Sequence, residues 1–328
     1  MGEIKAPHQL HQEYKINQSI PEWPIPDAFK DAKEVTYRDR MGEHLLAMPA
    51  AKIVKYYAYH SFEEMESWHT IFKKYTKLQG VGLELGAGCG VMATVFAKDP
   101  KVQLILGVEV VASMIYKIMP KVALGYLGAE FHKMIPVLGT FDNLQIPDNS
   151  IDFIVEMDSI HHSHNLKQTF AESFRVLKKG GVMIFLDRCH PDYLTDLRVK
   201  ELLDVEYTQD WINHNFYPPR SILNRRENGE HEYRKHEWLK AINDAGFDLE
   251  RLVKCYKKIS MRSAISNLVG FIRDVTFGKR FNSNGAKLKE AKIWLTQQTG
   301  IITHVKDEFE VNPKPDPINH CLFVLRKA

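Results

Sequence analysis

The chain has 328 residues, of which 44% are hydrophobic and 26% charged, a balance typical of a globular protein rather than a disordered one. Its formal net charge of +3 is too small to indicate nucleic-acid binding, so we expect no nucleic-acid partner. The four cysteines are scattered and form no Cys-x-x-Cys pair, which argues against both a zinc site and a disulfide framework. Reduced cysteines and the lack of a recognisable signal sequence or membrane-spanning run predict a cytoplasmic protein.

Residues 1–75 are predicted to form an N-terminal arm followed by a helical lid. Four prolines, at positions 7, 21, 24 and 26, predict an irregular segment up to about residue 40. Further on, Phe62, Met65, Trp68 and Phe72 recur at steps of three and four residues. This spacing is typical of an amphipathic helix and predicts one or two helices between residues 42 and 75.

Residues 76–258 are predicted to form the core, because short apolar runs alternate there with helical patterns. The predicted strands are 82–85, 104–109, 134–138, 151–156, 182–187 and 249–256, and the predicted helices are 91–98, 111–124, 167–177 and 238–245. This alternation predicts a parallel sheet with crossover helices. A Gly180-Gly181 pair after two lysines is interpreted as a helix stop.

Two segments interrupt this rhythm. Residues 188–235, called the cap segment below, are rich in charges and aromatic side chains and are predicted to be an insertion in the core. Residues 259–316 are predicted to be a basic helical cap, and residues 317–328 a final core strand. Residues 254–292 include ten lysines and arginines but only two acids, and apolar residues recur among them at helical spacing. This pattern fits a helix against anionic lipid, or more simply a cap helix with a solvated basic face.

A glycine-rich loop lies between the first predicted core strand and the helix that follows it. Glu84, Gly86, Ala87, Gly88 and Gly90 occupy this loop. Glycines let the backbone turn sharply and approach a ligand that a Cβ atom would exclude, and the helix start offers free N–H groups. The spacing does not fit a dinucleotide fingerprint, and the Gly-Lys-Ser/Thr of a P-loop is missing.

The loop resembles motif I of class I S-adenosylmethionine-dependent methyltransferases, E/D-x-G-x-G-x-G. The next predicted strand ends in Glu109, an acid at the place expected in that family. Three further stretches, in the family's order, are similar to its motifs: 139–152 (GTFDNLQIPDNSID), 157–162 (MDSIHH) and 175–181 (RVLKKGG). The resemblance covers about residues 80–190 and continues weakly through 238–247.

This resemblance implies an α/β, Rossmann-like fold. It predicts a seven-stranded, mostly parallel sheet with helices on both faces, an antiparallel last strand, and added N-terminal and inserted lid helices. S-adenosylmethionine is the implied cofactor, with Glu109 accepting from its ribose hydroxyls. The implied cofactor-binding residues are Glu84, Gly86, Ala87, Gly88, Gly90, Glu109, Thr140, Phe141 and Met157. The family's adenine-contacting acid is replaced here by Thr140.

The rate of methyl transfer is predicted to depend mainly on how the acceptor is positioned against the donor methyl group, because the methyl donor is itself reactive. His161, after the fourth strand, is the predicted general base, since histidine commonly serves this role near neutral pH. Asp187, which ends the fifth strand, is the second predicted catalytic residue and is expected to orient the acceptor. If the segment is extended there, successive side chains alternate, and His162 is then expected to point elsewhere. No metal site is predicted.

The predicted function is methyl transfer to an oxygen or nitrogen of a small organic acceptor. Two alternatives stay open. One is a methyltransferase acting on a membrane-associated lipid or quinone, for which membrane contact is possible but not favoured. The other is a non-catalytic binding protein that retains the fold. The identity of the acceptor and the oligomeric state do not follow from the sequence.

Overall fold

A computed structural model of the chain describes residues 4–17, 19–30, 33–49, 52–53, 62–128, 133–218, 221, 223–255 and 320–328. The chain divides into two compact units, one made of Met1–Arg251 with Phe323–Ala328 and the other of Leu252–Leu322. The second unit is described only at residues 252–255 and 320–322, and the predicted basic helical cap at 259–316 lies outside the described residues.

Seven strands form one sheet: β1 Gly80–Leu85, β2 Val102–Glu109, β3 Met134–Leu138, β4 Ile151–Met157, β5 Leu177–Arg188, β6 Asp248–Cys255 and β7 His320–Arg326. Their order in the sheet is β3-β2-β1-β4-β5-β7-β6. The strands β3, β2, β1, β4 and β5 are mutually parallel. Their nearly continuous apolar sequences are buried, as is usual for strands covered by helices on both faces.

The helices on and around this sheet are α1 Pro7–Asn17, α2 Asp27–Lys30, α3 Lys33–Leu46, α4 Phe62–Tyr75, α5 Val91–Lys98, α6 Leu166–Val176, α7 Asp196–Leu203, α8 Gln209–His214 and α9 Lys235–Ala245. Two π-helical segments, Met114–Ile118 and Pro120–Tyr126, follow β2, and a 3-10 turn, Ile160–His162, follows β4. In the part of the chain that the structure describes, no helix is long and apolar enough to cross a membrane.

Strand β7 runs antiparallel to β5. The backbones of Gly180 and Gly181 exchange hydrogen bonds with Lys327 (2.7 and 3.0 Å), whereas the rings of Phe185 and Phe323 stack with centroids 4.5 Å apart. Moving forward along one strand therefore means moving backward along the other. The observed sheet is the predicted one, including its antiparallel last strand.

The prediction of an irregular arm up to residue 40 is wrong, because α1, α2 and much of α3 lie there. Proline is tolerated in the first turn of a helix, where its missing N–H has no intrahelical partner, and α1 begins at Pro7. The extended stretch after α1 has a role of its own. It forms a parallel bridge with the end of β3, in which Trp23 donates to Leu138 (2.8 Å) and Leu138 donates to Pro21 (3.0 Å).

Two further elements differ from prediction. The chain leaves the helical conformation after Val176, one residue short of the predicted end, and Gly180-Gly181 lie within β5 rather than at a helix stop. The predicted helix 111–124 is mostly π-helical. Helical periodicity alone does not distinguish these hydrogen-bonding patterns.

The described parts of the N-terminal segment and of the cap segment contact the chain where the parallel strands end. Trp23 adjoins the end of β3, and Asp39 of α3 accepts from the Ser113 hydroxyl (2.6 Å) just beyond β2. From the cap segment, the backbone of His231 donates to the His161 carbonyl (2.9 Å) beyond β4. Open α/β sheets bind their ligands at this edge, and the functional residues are expected here.

Replacing Phe185 by alanine tests the packing of this sheet. The Phe185 ring is fully buried and contacts Phe170, Trp238 and Phe323. Its removal leaves a cavity, and we expect the free energy of unfolding to fall by about 3–5 kcal/mol. Chemical denaturation measures this. Leu197→Ala, at an exposed side chain, is the control and is expected to change stability by less than about 0.5 kcal/mol. Equal stabilities of the two variants would contradict the packing described.

Candidate active site

The glycine-rich loop connects β1 to α5 and adopts a conformation that requires glycine. Gly86, Gly88 and Gly90 have φ values of 71°, 50° and 76°, in the left-handed region that favours glycine. A Cβ atom on Gly86 would lie 2.4 Å from the Cβ atom of Ser159, whereas one on Gly88 would meet nothing within 4 Å. The loop is thus packed against the protein at Gly86 and borders open space at Gly88.

Glu109, at the end of β2, holds the glycine loop from the neighbouring strand. Its two carboxylate oxygens accept from the backbone N–H groups of Gly88 (2.9 Å) and Val111 (3.0 Å). A carboxylate has about four lone-pair positions, so capacity for two ligand hydroxyls remains. Glu109 therefore lies directly beside the open space at Gly88, as the resemblance implies.

Thr140 carries an unusual buried polar group. The residue is 3% exposed, and its hydroxyl oxygen has no hydrogen-bond partner among the described residues. Leaving a buried hydroxyl unpaired costs about 1–3 kcal/mol, and such a group is a good candidate for ligand binding. The nearby Asp142 does not replace it, because its carboxylate accepts from the hydroxyls of Ser163 and Thr169.

The remaining predicted cofactor residues adopt different environments. Glu84 is buried within β1 with one carboxylate oxygen unpartnered in the described part, and burial raises its pKa well above the usual value. The backbone of Ala87 donates to Val108 (2.9 Å), which fixes the start of the loop. Phe141 and Met157 are half-buried at the ends of β3 and β4. All the predicted cofactor residues lie within the described chain at the carboxyl ends of strands or in the loop.

His161 and Asp187 form a buried pair across the ends of β4 and β5. His161 Nδ1 lies 2.7 Å from Asp187 Oδ1, and the His161 backbone N–H donates to Asp187 Oδ2 (2.8 Å). Asp187 is fully buried and also accepts from the Arg188 backbone (2.6 Å). These bonds indicate that Asp187 orients His161; the expectation that it orients the acceptor stays a prediction.

The cap segment brings a cluster of buried charges to the same place. Arg188 donates to Glu230 (2.7 Å) and to Glu232 (3.2 Å). His190 and Arg225 also bond to Glu232. Burial by itself would raise the pKa values of both acids. The nearby Arg188 guanidinium outweighs burial and lowers the pKa of Glu230, and the hydrogen bond from His190 together with Arg188 lowers the pKa of Glu232 to about 2. Both acids are therefore ionised and paired at neutral pH.

His162 belongs to this cluster, contrary to prediction. Residues 160–162 form a 3-10 turn rather than an extended strand, so successive side chains do not alternate, and the two histidine rings lie 4.3 Å apart. His162 Nδ1 lies 3.1 Å from the Gly229 carbonyl, and its Nε2 lies 2.9 Å from Arg38. Burial, with help from His161 and Arg38, lowers the pKa of His162 well below its usual value, so the ring is neutral.

Two groups of side chains bring potential metal ligands within 4.8 Å of one another: His161, His162 and Glu230; and Asp158, His161 and Asp187. In the first group, Arg38 already engages His162, and Glu230 accepts from Arg188, Tyr207 and Asn228. The surrounding arginines disfavour a further cation. The sequence had not indicated Glu230 as a partner of these histidines, because the two parts are separated by about seventy residues.

Several aromatic and charged side chains of the cap segment bond to or pack against other parts of the protein. The stacked rings of Tyr207, Trp211 and Tyr217 form a small apolar cluster with Ile212 and Leu223. Arg226 bonds to Asp204 (3.0 Å), and Arg234 bonds to Leu194 (2.6 Å) and Asp196. Three tyrosines at 56, 57 and 59, and Arg220, lie outside the described residues.

Comparison with known families agrees with this geometry. A family model described as a methyltransferase domain matches residues 83–185, which include the glycine loop, Glu109, Thr140 and His161. The chain contains a class I S-adenosylmethionine-dependent methyltransferase domain. Outside this match lie α1 to α4 and the whole cap segment.

Curated relatives match about a third of this chain or less. A sterol 24-C-methyltransferase of Gibberella zeae is 31% identical over 116 residues, 34% of this chain and 26% of that protein. An uncharacterized methyltransferase of Bacillus subtilis is 30% identical over 112 residues, 34% of this chain and 41% of that protein. The crystal structure of the latter aligns at 17% identity with a TM-score of 0.47, covering 81% of this chain and 98% of that one. The chain thus spans less than half the length of the curated relatives it matches.

Glu156 makes the stability of the methyltransferase domain depend on pH. It is fully buried in β4, one oxygen accepts from Ile160 (3.0 Å) and the other has no partner in the described structure. Burial, together with the Asp187 carboxylate, raises the pKa of Glu156 well above its usual value. A carboxyl whose pKa is raised on folding contributes stability at low pH, and this is lost as pH rises above the unfolded value of about 4.3.

Glu156→Gln removes this ionisation while keeping one oxygen acceptor. We expect the variant to be more stable than the unchanged chain at pH 8 and similar to it near pH 4, with stability curves that diverge by up to about 1.4 kcal/mol per pH unit. Denaturation at a series of pH values measures this. Glu201→Gln, at an exposed ion pair, is the control. Parallel curves for all three proteins would contradict the assignment.

Proposed function

We propose that this chain transfers a methyl group from S-adenosylmethionine to an oxygen or nitrogen of a small organic acceptor. The observation that carries the proposal is the open space at Gly88. Glu109 lies beside this space and can accept hydrogen bonds from ribose hydroxyls, and the buried Thr140 hydroxyl has no partner in the described structure. A Cβ atom at Gly88 would enter this space, and the residues present fit an adenosine-containing ligand.

The residues that would hold the donor act through different groups. Glu109 would accept from the ribose hydroxyls, and the Thr140 hydroxyl would satisfy its hydrogen bonding at the adenine end. The glycine loop would supply close backbone contact at the start of α5. When bound, S-adenosylmethionine supplies a methyl group on a positively charged sulfur.

His161 would act as the general base for an acceptor that carries a proton. Asp187 holds the Nδ1 side of the ring, which leaves Nε2 as the atom that takes the proton. The carboxylates of Asp187 and Glu230 flank the imidazole and would stabilise its charge after proton uptake. The cap segment would keep water away from this position.

A second candidate is methyl transfer to a carbon of a membrane-associated lipid. The similarity to sterol 24-C-methyltransferases of Gibberella zeae and Aspergillus fumigatus supports it. The two similarities cover 16% and 34% of this chain, and the basic segment 254–292 lies almost entirely outside the described residues. A screen for formation of S-adenosylhomocysteine separates the candidates: soluble alcohols, phenols and amines support the first, and sterols or quinones in vesicles support the second. Donor binding without turnover on any acceptor supports a binding protein.

Substitutions in the donor site test the proposal independently of the acceptor. We expect Gly88→Val to reduce S-adenosylhomocysteine affinity by more than 100-fold, because its side chain would occupy the ligand space and its φ is unfavourable. Glu109→Ala should reduce affinity by about 10-fold or more, through loss of two charge-assisted hydrogen bonds. Isothermal titration calorimetry measures both effects.

Gly128→Val is the matched control for the loop. Gly128 also has a positive φ (61°), and a Cβ atom there would meet nothing within 4 Å, but it lies after the second π-helical segment. The Gly128→Val variant should bind S-adenosylhomocysteine as tightly as the unchanged chain does. Unaltered affinity in both donor-site variants would place the ligand elsewhere.

His161→Gln tests the general base. If an acceptor found in the screen carries a proton at pH 7, we expect turnover at saturating substrate to fall by about 10²–10⁴-fold with donor affinity retained. The control is His236→Gln, which changes an exposed histidine at the start of α9. A loss of less than tenfold in His161→Gln would remove the base from the mechanism and leave placement as the source of catalysis.

A further inference from the structure

Arg38 of α3 differs from the other arginines of the buried cluster. Arg188 and Arg225 are each paired with Glu230 and Glu232. Arg38 is half-buried, yet within the described structure no carboxylate lies within 4.0 Å of its guanidinium. Its only hydrogen bond there runs from one terminal nitrogen to His162 Nε2 (2.9 Å). A guanidinium has five donors, so most of the binding capacity of Arg38 is unused by the protein.

Two contacts hold α3 on either side of Arg38. The next residue, Asp39, accepts from the hydroxyl (2.6 Å) and the backbone (3.3 Å) of Ser113. On the other side, Tyr37 and Met41 pack against the apolar cluster of the cap segment. Arg38 is therefore held between the end of β2 and the cap segment, rather than on a freely moving surface.

His162 fixes the guanidinium itself. Since the Gly229 carbonyl can only accept, His162 Nδ1 carries the proton and Nε2 is the acceptor for Arg38. The ring is kept neutral by its lowered pKa. Arg38 remains charged, because nearby Tyr217, Glu109 and Glu230 outweigh the effect of burial on its pKa. Both Glu109 and Glu230 are thus near enough to Arg38 to stabilise its charge.

We infer that Arg38 binds an anionic oxygen group, a carboxylate or a phosphate, on the methyl acceptor. A planar guanidinium with free donors recognises such groups in a bidentate manner. Arg38 bonds to His162, whose ring lies 4.3 Å from that of His161, so a group bound here belongs to a molecule that also reaches His161. This inference rests on the proposed function and narrows the acceptor to small anionic molecules. The chemically similar carboxylate of the donor is the competing source of the anion.

The experiment uses the full chain, with inorganic phosphate and acetate as probes. Calorimetry first measures S-adenosylhomocysteine binding, whose absence would refute the donor site and thereby the proposed function. Phosphate and acetate are then titrated into the chain saturated with S-adenosylhomocysteine. We expect binding of at least one anion, accompanied by a shift of the His162 imidazole nitrogen signals in NMR spectra.

Arg38→Gln should weaken anion binding by about 10-fold to 100-fold, the effect of losing charge-assisted hydrogen bonds. Arg38→Lys keeps the charge but lacks the planar guanidinium that binds in a bidentate manner, and it should cause an intermediate loss of anion affinity. The control is Arg40→Gln, an exposed arginine two residues along α3 with the same change in charge. Retained S-adenosylhomocysteine affinity in Arg38→Gln shows that the variant is folded.

Three results would overturn the inference. The first is that the S-adenosylhomocysteine-bound chain binds neither anion. The second is equal anion binding by the Arg38→Gln and Arg40→Gln variants. The third is that Arg38→Gln lowers affinity for S-adenosylhomocysteine but not for 5′-methylthioadenosine, which lacks the amino-acid carboxylate. That last result would assign Arg38 to the donor.

Discussion

The carboxylate of Asp187 is the interaction on which the arrangement of the acceptor side depends. It lies at the end of β5, is fully buried, and bonds to the ring and backbone of His161 beyond β4 and to the backbone of Arg188. One side chain thereby fixes the turn after β4, the orientation of its histidine and the first residue of the cap segment. Such a carboxylate is stable only because every partner is in place, since an unpaired buried charge is very costly.

The cap segment extends the same logic to a larger set of charges. Arg188 follows Asp187 in the chain and donates to Glu230 and Glu232. These two acids also bond to His190, Arg225, Asn228 and Tyr207. Buried ion pairs contribute little net stability compared with apolar packing, but removing one partner is destabilising. A network of this kind therefore specifies where the cap segment lies over the sheet edge more than how firmly it is held.

The geometry of the glycine loop and of Glu109, which form the proposed donor site, was largely predictable from the sequence. The glycine loop and Glu109 are close in sequence to strands with clear apolar patterns, so periodicity and spacing locate them. The network around Asp187 was not, because Glu230 and Arg38 reach it from 43 residues later and about 150 residues earlier in the chain, without any local pattern. His162 was misplaced for a simpler reason: a 3-10 turn and a strand end cannot be distinguished in three residues. The prolines before residue 30 led to the wrong prediction of an irregular arm, because the effect of a proline depends on its position within a helix.

Donor placement is the central claim, since the roles of His161 and the cap segment follow from it. The most direct test is a crystal structure of the full chain with S-adenosylhomocysteine. We expect ligand density that spans Gly88, Glu109 and Thr140, with ribose hydroxyls bonded to Glu109 and the Thr140 hydroxyl no longer unpaired. Density at any other place in the chain, with Gly88 and Thr140 free of ligand, would contradict it.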